Sequence, residues 1–402
     1  MTRDLRDSAM AWRAAIGAML AVVAIYGIVY SYGQFFKPLG QTLGLGEAVG
    51  SIVFSITSLA GFGLSIVSGP LLDRFGPRPL LLLGAVSLGS GLVLTAMAGT
   101  LWQVLIGSGL GIGLSLACVY VPVLATIGQW FSRYRTMATG LVVTGVGLGT
   151  LIGPPVSAWL IAQFGWRMAY ICLASGGAAV LLVSAWLIAP PPRPMLGTAA
   201  AESGGGRGFG TLYLATLLIN VVIYVPYVHL SYAAQQTGIA PLTAASLVSV
   251  IGASNIAGRL VVAAVASRLG PLVLFRLCHL GFCLSLLIWL VADGYGGFLV
   301  FALLTGVSHG LYSALLPVVV AEQFGVAHLG KTLGRLFTAL GLGSAIGPPV
   351  TGYLVQSSGG YTLALVVLGL FGLAAWAVLL TYRPDRPVAP PAPGGVETRL
   401  SP

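Results

Sequence analysis

The residue whose chemistry most constrains this chain is Arg259, which lies inside an almost wholly apolar stretch at residues 244–270. An arginine at mid-bilayer depth costs about 2.5 to 3.5 kcal/mol on insertion scales, so a membrane helix keeps one only where it faces a polar interior. Asn255 precedes Arg259 by four residues and therefore lies on the same helical face. Because a guanidinium presents a planar fork of N–H donors that matches a carboxylate, this pair predicts an anion site.

Other side chains suited to hold a carboxylate lie near the midpoints of apolar stretches. Tyr120 in ACVYVP and Tyr312 in SHGLYSALLP each carry a phenol that can donate to a carboxylate while the ring packs against a short alkyl chain. Ser308 and His309 lie one turn before Tyr312, and we interpret His309 as the sole group at that depth that titrates near neutral pH. His309 is therefore a candidate proton carrier or substrate donor, and a neutral histidine bonded to a neighbouring helix is the alternative.

The elements that position these residues are membrane helices. Of the 402 residues, 57% are hydrophobic and only 7% are charged, a share of charged residues too low for a soluble globular protein. Apolar runs of about 20 residues recur throughout the chain. The runs predict twelve spans, at residues 12–36, 49–72, 79–98, 102–128, 137–163, 168–189, 210–233, 243–266, 272–292, 297–321, 332–356 and 361–382. We expect an all-α membrane protein with no cofactor, no metal and no nucleic-acid partner.

The twelve spans divide into two halves. A Pro/Gly/Ala-rich segment at residues 191–209 separates a six-helix bundle at 1–190 from a second at 210–382, and a proline-rich tail at 383–402 is predicted to be disordered. GVGLGTLIGPPVSAWL, which starts at Gly145, returns as ALGLGSAIGPPVTGYL 194 residues later. Such a repeat predicts two pseudo-symmetric bundles with a substrate site between them near the midplane.

Charge placement predicts both orientation and ligand. With a cytoplasmic N-terminus, sixteen of the 19 Lys and Arg residues fall on the cytoplasmic side, and only Lys37 and Arg167 fall on the other, which places both termini in the cytoplasm. The predicted spans leave no acidic residue at mid-depth, since Glu322 and Asp293 fall near helix ends and Glu47 in a loop. One fixed positive charge pairs best with one carboxylate, so a monoanion is favoured.

The loop at residues 69–78, GPLLDRFGPR, resembles the signature of the major facilitator superfamily. The resemblance implies that Asp73 and Arg74 help to lock the cytoplasmic ends of the two halves together. Arg133 and Arg135, in WFSRYR, are candidates for the same lock, although positive-inside residues need no further role.

Five further segments are similar to the monocarboxylate transporter family: SYGQFFKPL, PVLATIGQWFSRYRTMATGL, GPPVSAWLIAQFGWRMAY, YVPYVHLSYAAQQTGI and SVIGASNIAGRL. The resemblance implies a bacterial-type member that carries lactate, pyruvate or a similar monocarboxylate, usually with a proton. Two positions depart from the animal members, which carry an aspartate at Asn255 and a lysine at Tyr30. Tyr30 becomes a candidate substrate contact on that alignment alone. His229, Tyr224 and Tyr227, in the tract YVPYVHL, are assigned by default a gating or structural role near the outer end.

The sequence therefore predicts a symporter of a short monocarboxylate and a proton, in a cell membrane or bacterial inner membrane, that works by alternating access and functions as a monomer. The proton travels on His309 or beside the bound carboxylate. A proton-independent uniporter or exchanger of organic anions is the first alternative, because both of the family's proton-linked charges are replaced by neutral groups. A carboxylate sensor that moves nothing is the second.

Overall fold

The structure, a computed structural model, describes residues 7–44, 46–131, 133–190, 208–324 and 329–382. The predicted tail at 383–402 and all of the predicted linker except Gly208 and Phe209 lie outside these residues. The first half contains α1 (Ala9–Val29), α2 (Tyr32–Leu43), α3 (Glu47–Phe75), α4 (Pro77–Ala96), α5 (Leu101–Val104), a π-helical stretch (Leu105–Ile112), α6 (Gly113–Trp130) and α7 (Arg135–Leu187). The second contains α8 (Phe209–Ile223), α9 (Val225–Gln236), α10 (Pro241–Leu269), α11 (Pro271–Leu290), α12 (Tyr295–Phe324), α13 (Leu329–Ser358) and α14 (Tyr361–Thr381).

These helices account for twelve membrane crossings. Among the described residues, ten helical segments are long and apolar enough to span a bilayer. One of them, Met137–Leu187, has 51 residues and is about 76 Å long, more than twice the hydrocarbon thickness. It breaks at Gly165, whose φ of 76° is left-handed, so it crosses twice. α13 is absent from the ten, but its 30 residues pack against α3 and α8 and supply the twelfth crossing.

The first and seventh crossings are each interrupted at a tyrosine. α1 ends at Val29 and α2 begins at Tyr32, while α8 ends at Ile223 and α9 begins at Val225, so Tyr30 and Tyr224 occupy the two breaks. The hydroxyl of Ser31 donates to the carbonyl of Gly27 at 2.6 Å, a back-bond that bends helices. Pro226 follows the second break and removes a backbone donor there. The two tyrosines are 194 residues apart, so the breaks are related by the internal repeat.

The repeat is also visible in how the helices cross. A Cβ on Gly153 of α7 would collide with the backbone of Gly27 in α1, and a Cβ on Gly347 of α13 would collide with the backbone of Val221 in α8. Both members of the second pair are displaced by 194 residues from those of the first. The GPP motifs noted in the sequence are therefore the points of closest helix approach in each half.

Glycines also hold the helix that carries Arg259. A Cβ on Gly258 of α10, or on Gly306 or Gly310 of α12, would meet the backbone of the facing helix. Gly252 of α10 and Gly147 of α7 allow a similar approach between the two halves, because a Cβ on Gly252 would lie 2.7 Å from the carbonyl oxygen of Gly147. α10 is thus seated against α12 on one side and the opposite half on the other, which fixes where Arg259 points.

Candidate substrate site

A cavity of about 890 Å³ lies between the two halves. Its deep wall carries Tyr26, Tyr30, Tyr120, Tyr224, Arg259 and His309. It extends past Leu316 and Pro317 of α12 to Leu333 and Arg335 near the start of α13. These residues approach the end of the bundle where the α6–α7 loop lies, which the arginine count assigns to the cytoplasm. The cavity therefore faces the cytoplasm.

The opposite end is closed by contacts between the halves. The amide of Gln34 in α2 donates to the hydroxyl of Ser231 in α9 at 2.7 Å, and both groups are buried. Gly33 permits this approach, since a Cβ there would lie 2.6 Å from the carbonyl oxygen of Tyr227. Further inward, the rings of Tyr30 and Tyr227 stack with centroids 3.9 Å apart.

His229 ties this closure together. Its Nε2 lies 3.0 Å from the carbonyl oxygen of Pro348 and 3.3 Å from the hydroxyl of Ser51, and its Nδ1 lies 3.1 Å from the hydroxyl of Tyr361. Because a carbonyl only accepts, Nε2 carries the hydrogen and Nδ1 accepts from Tyr361. Ser51 belongs to the first half and the other partners to the second, so His229 lies at the closed interface.

Arg259 is the charged group at the deep end of the cavity. Its Nε donates to Oδ1 of Asn255 at 3.0 Å, which orients the guanidinium. No acidic side chain is found among the described residues that line the cavity, and Arg335 is a second cation near its mouth. Ser65 of α3, which lies 194 residues before Arg259, also lines the cavity, so the pseudo-symmetric position in the first half carries no charge. The wall thus offers an incoming anion a cation with two free guanidinium nitrogens.

Aromatic rings surround this cation. Tyr26 and Tyr120 meet edge to face with centroids 5.2 Å apart, and Tyr26 lies 5.4 Å from Tyr30. Tyr30 in turn lies 6.4 Å from Tyr224. The hydroxyl of Tyr227 shares a hydrogen bond of 2.7 Å with Nδ1 of His309. The rings can contact an alkyl group while nearby phenol groups donate to carboxylate oxygens.

Tyr312 lines the cavity from the second half. Its hydroxyl accepts a hydrogen bond of 2.8 Å from Nδ2 of Asn220. The same Nδ2 donates to the carbonyl oxygen of Thr216 at 2.6 Å, so the orientation of the amide is settled by an acceptor that cannot donate. Tyr312 therefore retains its own hydrogen for a further acceptor.

The candidate residues do not all reach the cavity. Arg259, Tyr120, Tyr312, Tyr30 and His309 line it, and Asn255 acts through Arg259. Ser308 does not line it. A Cβ on Gly281 of α11 would collide with the hydroxyl of Ser308, so this side chain faces α11 rather than the substrate space. Residues 308 and 312 are not fully aligned on the surface of α12, so Ser308 packs against α11 while Tyr312 reaches the cavity.

His309 is not the sole histidine at membrane depth. His229 of α9 and His279 of α11 are both fully buried within membrane helices. The interpretation of His309 as the only such group is therefore wrong. The sequence around His279, FRLCHLGF, contains no other residue of the predicted site, so it gives no signal for this histidine.

The predicted cytoplasmic lock is apart in this structure. Asp73 and Arg74 are exposed, and the guanidinium of Arg74 lies over the ring of Phe75 at 5.1 Å. Arg133 lies similarly over Tyr134, while Nε of Arg135 donates to the carbonyl of Phe131 at 3.2 Å. Within the described residues Asp73 makes no ion pair. A lock that closes the cytoplasmic end must be broken when the cavity is open there, so this arrangement is the expected one.

Two tyrosines of the cavity wall, Tyr26 and Tyr224, lie outside the candidate set of substrate contacts, and both could have been found from the sequence. Tyr26 precedes Tyr30 by four residues and shares its face. Tyr224 follows Tyr30 by 194 residues, so the internal repeat points to it as the counterpart of Tyr30. Hydropathy alone places Tyr224 near the outer end, because the helix break that directs it inward leaves no hydropathy signal.

Two pseudo-symmetric bundles around a cavity that opens to one side define the class of alternating-access membrane carriers. A model of the Major Facilitator Superfamily matches residues 14–211 and 211–402. Monocarboxylate transporter 13 of Bos taurus is 30% identical over 386 residues, which cover 93% of this chain and 90% of that protein. Monocarboxylate transporter 11 of Homo sapiens is 29% identical, with coverage of 90% and 81%. A solved bacterial homologue of the human lysosomal transporter Spinster, inward-facing and unoccupied, superposes with a TM-score of 0.73 at 14% identity, covering 94% of this chain and 99% of its own.

The chain belongs to the major facilitator superfamily and, within it, to the monocarboxylate transporter family. It is a multi-pass membrane transporter and not an enzyme. The relatives named here come from animals, so they lend no support to a bacterial inner membrane as its location.

Proposed function

We propose that this protein carries a short monocarboxylate such as L-lactate or pyruvate across the membrane together with a proton. The observation that carries the proposal is Arg259, a cation oriented by Asn255 at the closed end of a cavity whose described lining contains no acid. The substrate carboxylate docks on the two free nitrogens of the guanidinium. Phenols of the surrounding tyrosines donate to the carboxylate or to the 2-hydroxyl or 2-oxo group, while the rings contact the methyl group.

Transport proceeds by rocking one half against the other. Docking of the carboxylate neutralises Arg259, which lowers the cost of closing the cytoplasmic mouth over a dry site. Opening to the outside then requires the Gln34–Ser231 bond, the Tyr30–Tyr227 stack and the Ser51–His229 contact to separate. In that state Asp73, Arg74, Arg133 and Arg135, all of the first half, contact the second half at the other end and hold it closed. Each carrier works as a monomer, because one chain encloses the whole cavity.

For proton coupling, a specific observation supports an alternative mechanism. Asn255 cannot carry a proton, and a proton on His309 would place a second positive charge in the cavity that holds Arg259. This arrangement favours the second candidate function, proton-independent exchange of organic anions, because an empty carrier with an unpaired Arg259 reorients at a high electrostatic cost. Symport requires a proton site away from Arg259, or a proton that arrives only after the substrate.

Uptake of radiolabelled L-lactate into liposomes under an imposed inward proton gradient tests the proposal. Uptake that follows the gradient supports symport, uptake that ignores it but is accelerated by internal lactate supports exchange, and binding without uptake indicates a sensor. Arg259→Lys should lower uptake at least tenfold, because an ammonium lacks the bidentate fork and the Nε bond to Asn255. Near-normal uptake by Arg259→Lys would refute the assignment of the anion site. Lactate transport measured separately in each membrane fraction of the source cell would show whether the plasma or inner membrane contains the carrier.

A further inference from the structure

Behind Tyr312, inside the second half, lies a group of buried polar atoms that lack partners. They are Oδ1 of Asn220 and Oγ1 of Thr216 on α8, and Nε2 of His279 on α11. All three residues are 0% exposed. Buried polar groups are normally paired, so unpaired atoms in one region call for an explanation.

Tyr312 connects this group to the cavity. Its hydroxyl accepts from Asn220, its ring meets the ring of His279 edge to face with centroids 5.8 Å apart, and it also lines the substrate cavity. Thr216 lies one turn before Asn220 on the same helical face. Phe275 stacks on Tyr312 at 5.5 Å and closes another side. A single aromatic side chain therefore separates the cavity from the buried group.

The protonation of His279 follows from its one strong bond. Nδ1 lies 2.7 Å from the carbonyl oxygen of Phe275, which can only accept, so Nδ1 carries a hydrogen. In the neutral imidazole Nε2 then holds a lone pair and needs a donor. Oδ1 of Asn220 is likewise an acceptor without a donor. Nε2 of His279 is thus a buried acceptor with no donor among the described residues, and a proton there would turn it into a donor.

We propose that His279 is the proton-binding group of the carrier, coupled across Tyr312 to the anion on Arg259. This inference rests on the proposed function. A proton from water on the side to which the cavity opens forms an N–H bond at Nε2, and that bond breaks when the proton is released on the other side. In the empty carrier Arg259 is charged and His279 is neutral. When the carboxylate neutralises Arg259, its repulsion of a charge on His279 is cancelled, so the proton and the substrate bind together.

The charge balance matches symport. The empty carrier has one positive charge on Arg259, and the loaded carrier has Arg259, a carboxylate and a protonated His279, again one net positive charge. His279 thus takes over the proton site that the family's acid would supply at Asn255, while the empty carrier reorients with Arg259 unpaired. His309 is the less suitable carrier, because it lines the same cavity as Arg259 and its Nδ1 already bonds Tyr227.

The surroundings of His279 contain few groups that titrate or carry charge. Among the described residues of α11 and of the helices packed against it, Cys278 and Tyr312 contact His279, and Sγ of Cys278 is 3.7 Å from Nδ1. Arg276 on the same helix is turned away to the carbonyls of Leu379 and Tyr382. The remaining titratable or charged side chains on those helices are Cys283 of α11, Tyr213 of α8, Arg259 and Arg268 of α10, Tyr295, His309 and Glu322 of α12, and Tyr361 of α14.

The test compares two transport modes of purified protein in liposomes. Lactate accumulation driven by an inward gradient of one pH unit reaches about tenfold at equilibrium for one proton per lactate. Lactate exchange at equal pH on both sides needs no release of the proton. We expect His279→Gln to abolish accumulation and to retain exchange within about twofold. Cys278→Ala, a substitution one residue away, should keep both.

The outcomes separate the inference from the proposed function. Accumulation retained by His279→Gln overturns the inference. The inference is also overturned if His309→Gln, and not His279→Gln, loses accumulation while it keeps exchange. Absence of accumulation in the wild type, with exchange that still depends on Arg259, overturns symport and the inference but leaves the anion site. If His279→Gln does not fold, ¹⁵N-histidine NMR of the wild type decides, because Nε2 of His279 should become protonated when lactate is added, and no change there overturns the inference.

Discussion

Asn255→Asp is the substitution that most directly probes how Arg259 binds an anion. Asparagine and aspartate have nearly the same shape, and Oδ1 of Asn255 is already 3.0 Å from Nε of Arg259. The change therefore adds a negative charge beside the guanidinium without requiring a new side-chain position. By the family resemblance, it also restores the aspartate that the animal members carry at this position.

The magnitude follows from the geometry. Two unit charges about 4 Å apart attract by about 4 kcal/mol at an effective dielectric of 20 and by about 1 kcal/mol in water. The cavity is open to solvent on one side, so the new ion pair lies between these limits. A substrate carboxylate must compete with that pair, so KM at pH 7.5 should rise by between about fivefold and several hundredfold. The same attraction keeps the new carboxylate ionised at pH 5.5, so the KM of the variant should stay above the wild-type value at both pH values.

The assay is lactate exchange in liposomes at equal pH on both sides, measured at pH 7.5 and pH 5.5. Asn255→Ala is the matched control, since it removes the hydrogen bond to Arg259 but adds no charge. Its KM should rise only modestly and should follow the pH dependence of the wild type. A KM for Asn255→Asp that equals the wild-type value at both pH values would refute the placement of the substrate carboxylate on Arg259.

Two further predictions concern the scaffold and the closed end. Gly153→Ala should lower the stability of the detergent-solubilised protein by about 1 to 3 kcal/mol, because its Cβ would collide with the backbone of Gly27. Gly140→Ala on the same helix has open space around its Cβ and should be neutral. Equal melting temperatures for the two variants would contradict the close crossing. Gln34→Ala removes a buried bond across the closed outer end worth about 0.5 to 1.5 kcal/mol, so an engineered cysteine at Ser55 should react about 2- to 12-fold faster with an impermeant thiol reagent added outside. Thr42→Ala removes a bond of 3.1 Å to Trp166 within the first half and should leave that rate unchanged, so equal acceleration by both variants would show that Gln34 does not hold the gate.

Much of the fold was predictable from the sequence, because it follows from local composition. Each span needs about 20 apolar residues, and the repeat of GPP motifs at a shift of 194 residues identified the two halves before any contact was known. The costly arginine in α10 was predictable for the same reason, since a buried charge requires a polar face whatever the fold around it. The predicted spans do not show the points where a helix breaks without losing hydropathy, at Tyr30 and Tyr224.

The direction of individual side chains was not predictable in this way. Ser308 and Tyr312 are one turn apart on α12, yet Ser308 packs against Gly281 of α11 while Tyr312 reaches the cavity. The bond from Tyr227 to His309 and the contact of His279 with Tyr312 join residues that are 82 and 33 positions apart.

The sequence by itself determined that this chain crosses the membrane twelve times in two related halves and buries one arginine beside an asparagine. Hydropathy, the positive-inside count and the cost of a buried charge act on each segment separately, so they need no knowledge of its neighbours. Only the tertiary structure decided which face of each helix meets the cavity, which tyrosines surround Arg259 and which histidine contacts Tyr312 from behind. Those outcomes depend on glycine crossings such as Gly310 against Asn255, where close backbone approach between distant segments sets the rotation of each helix.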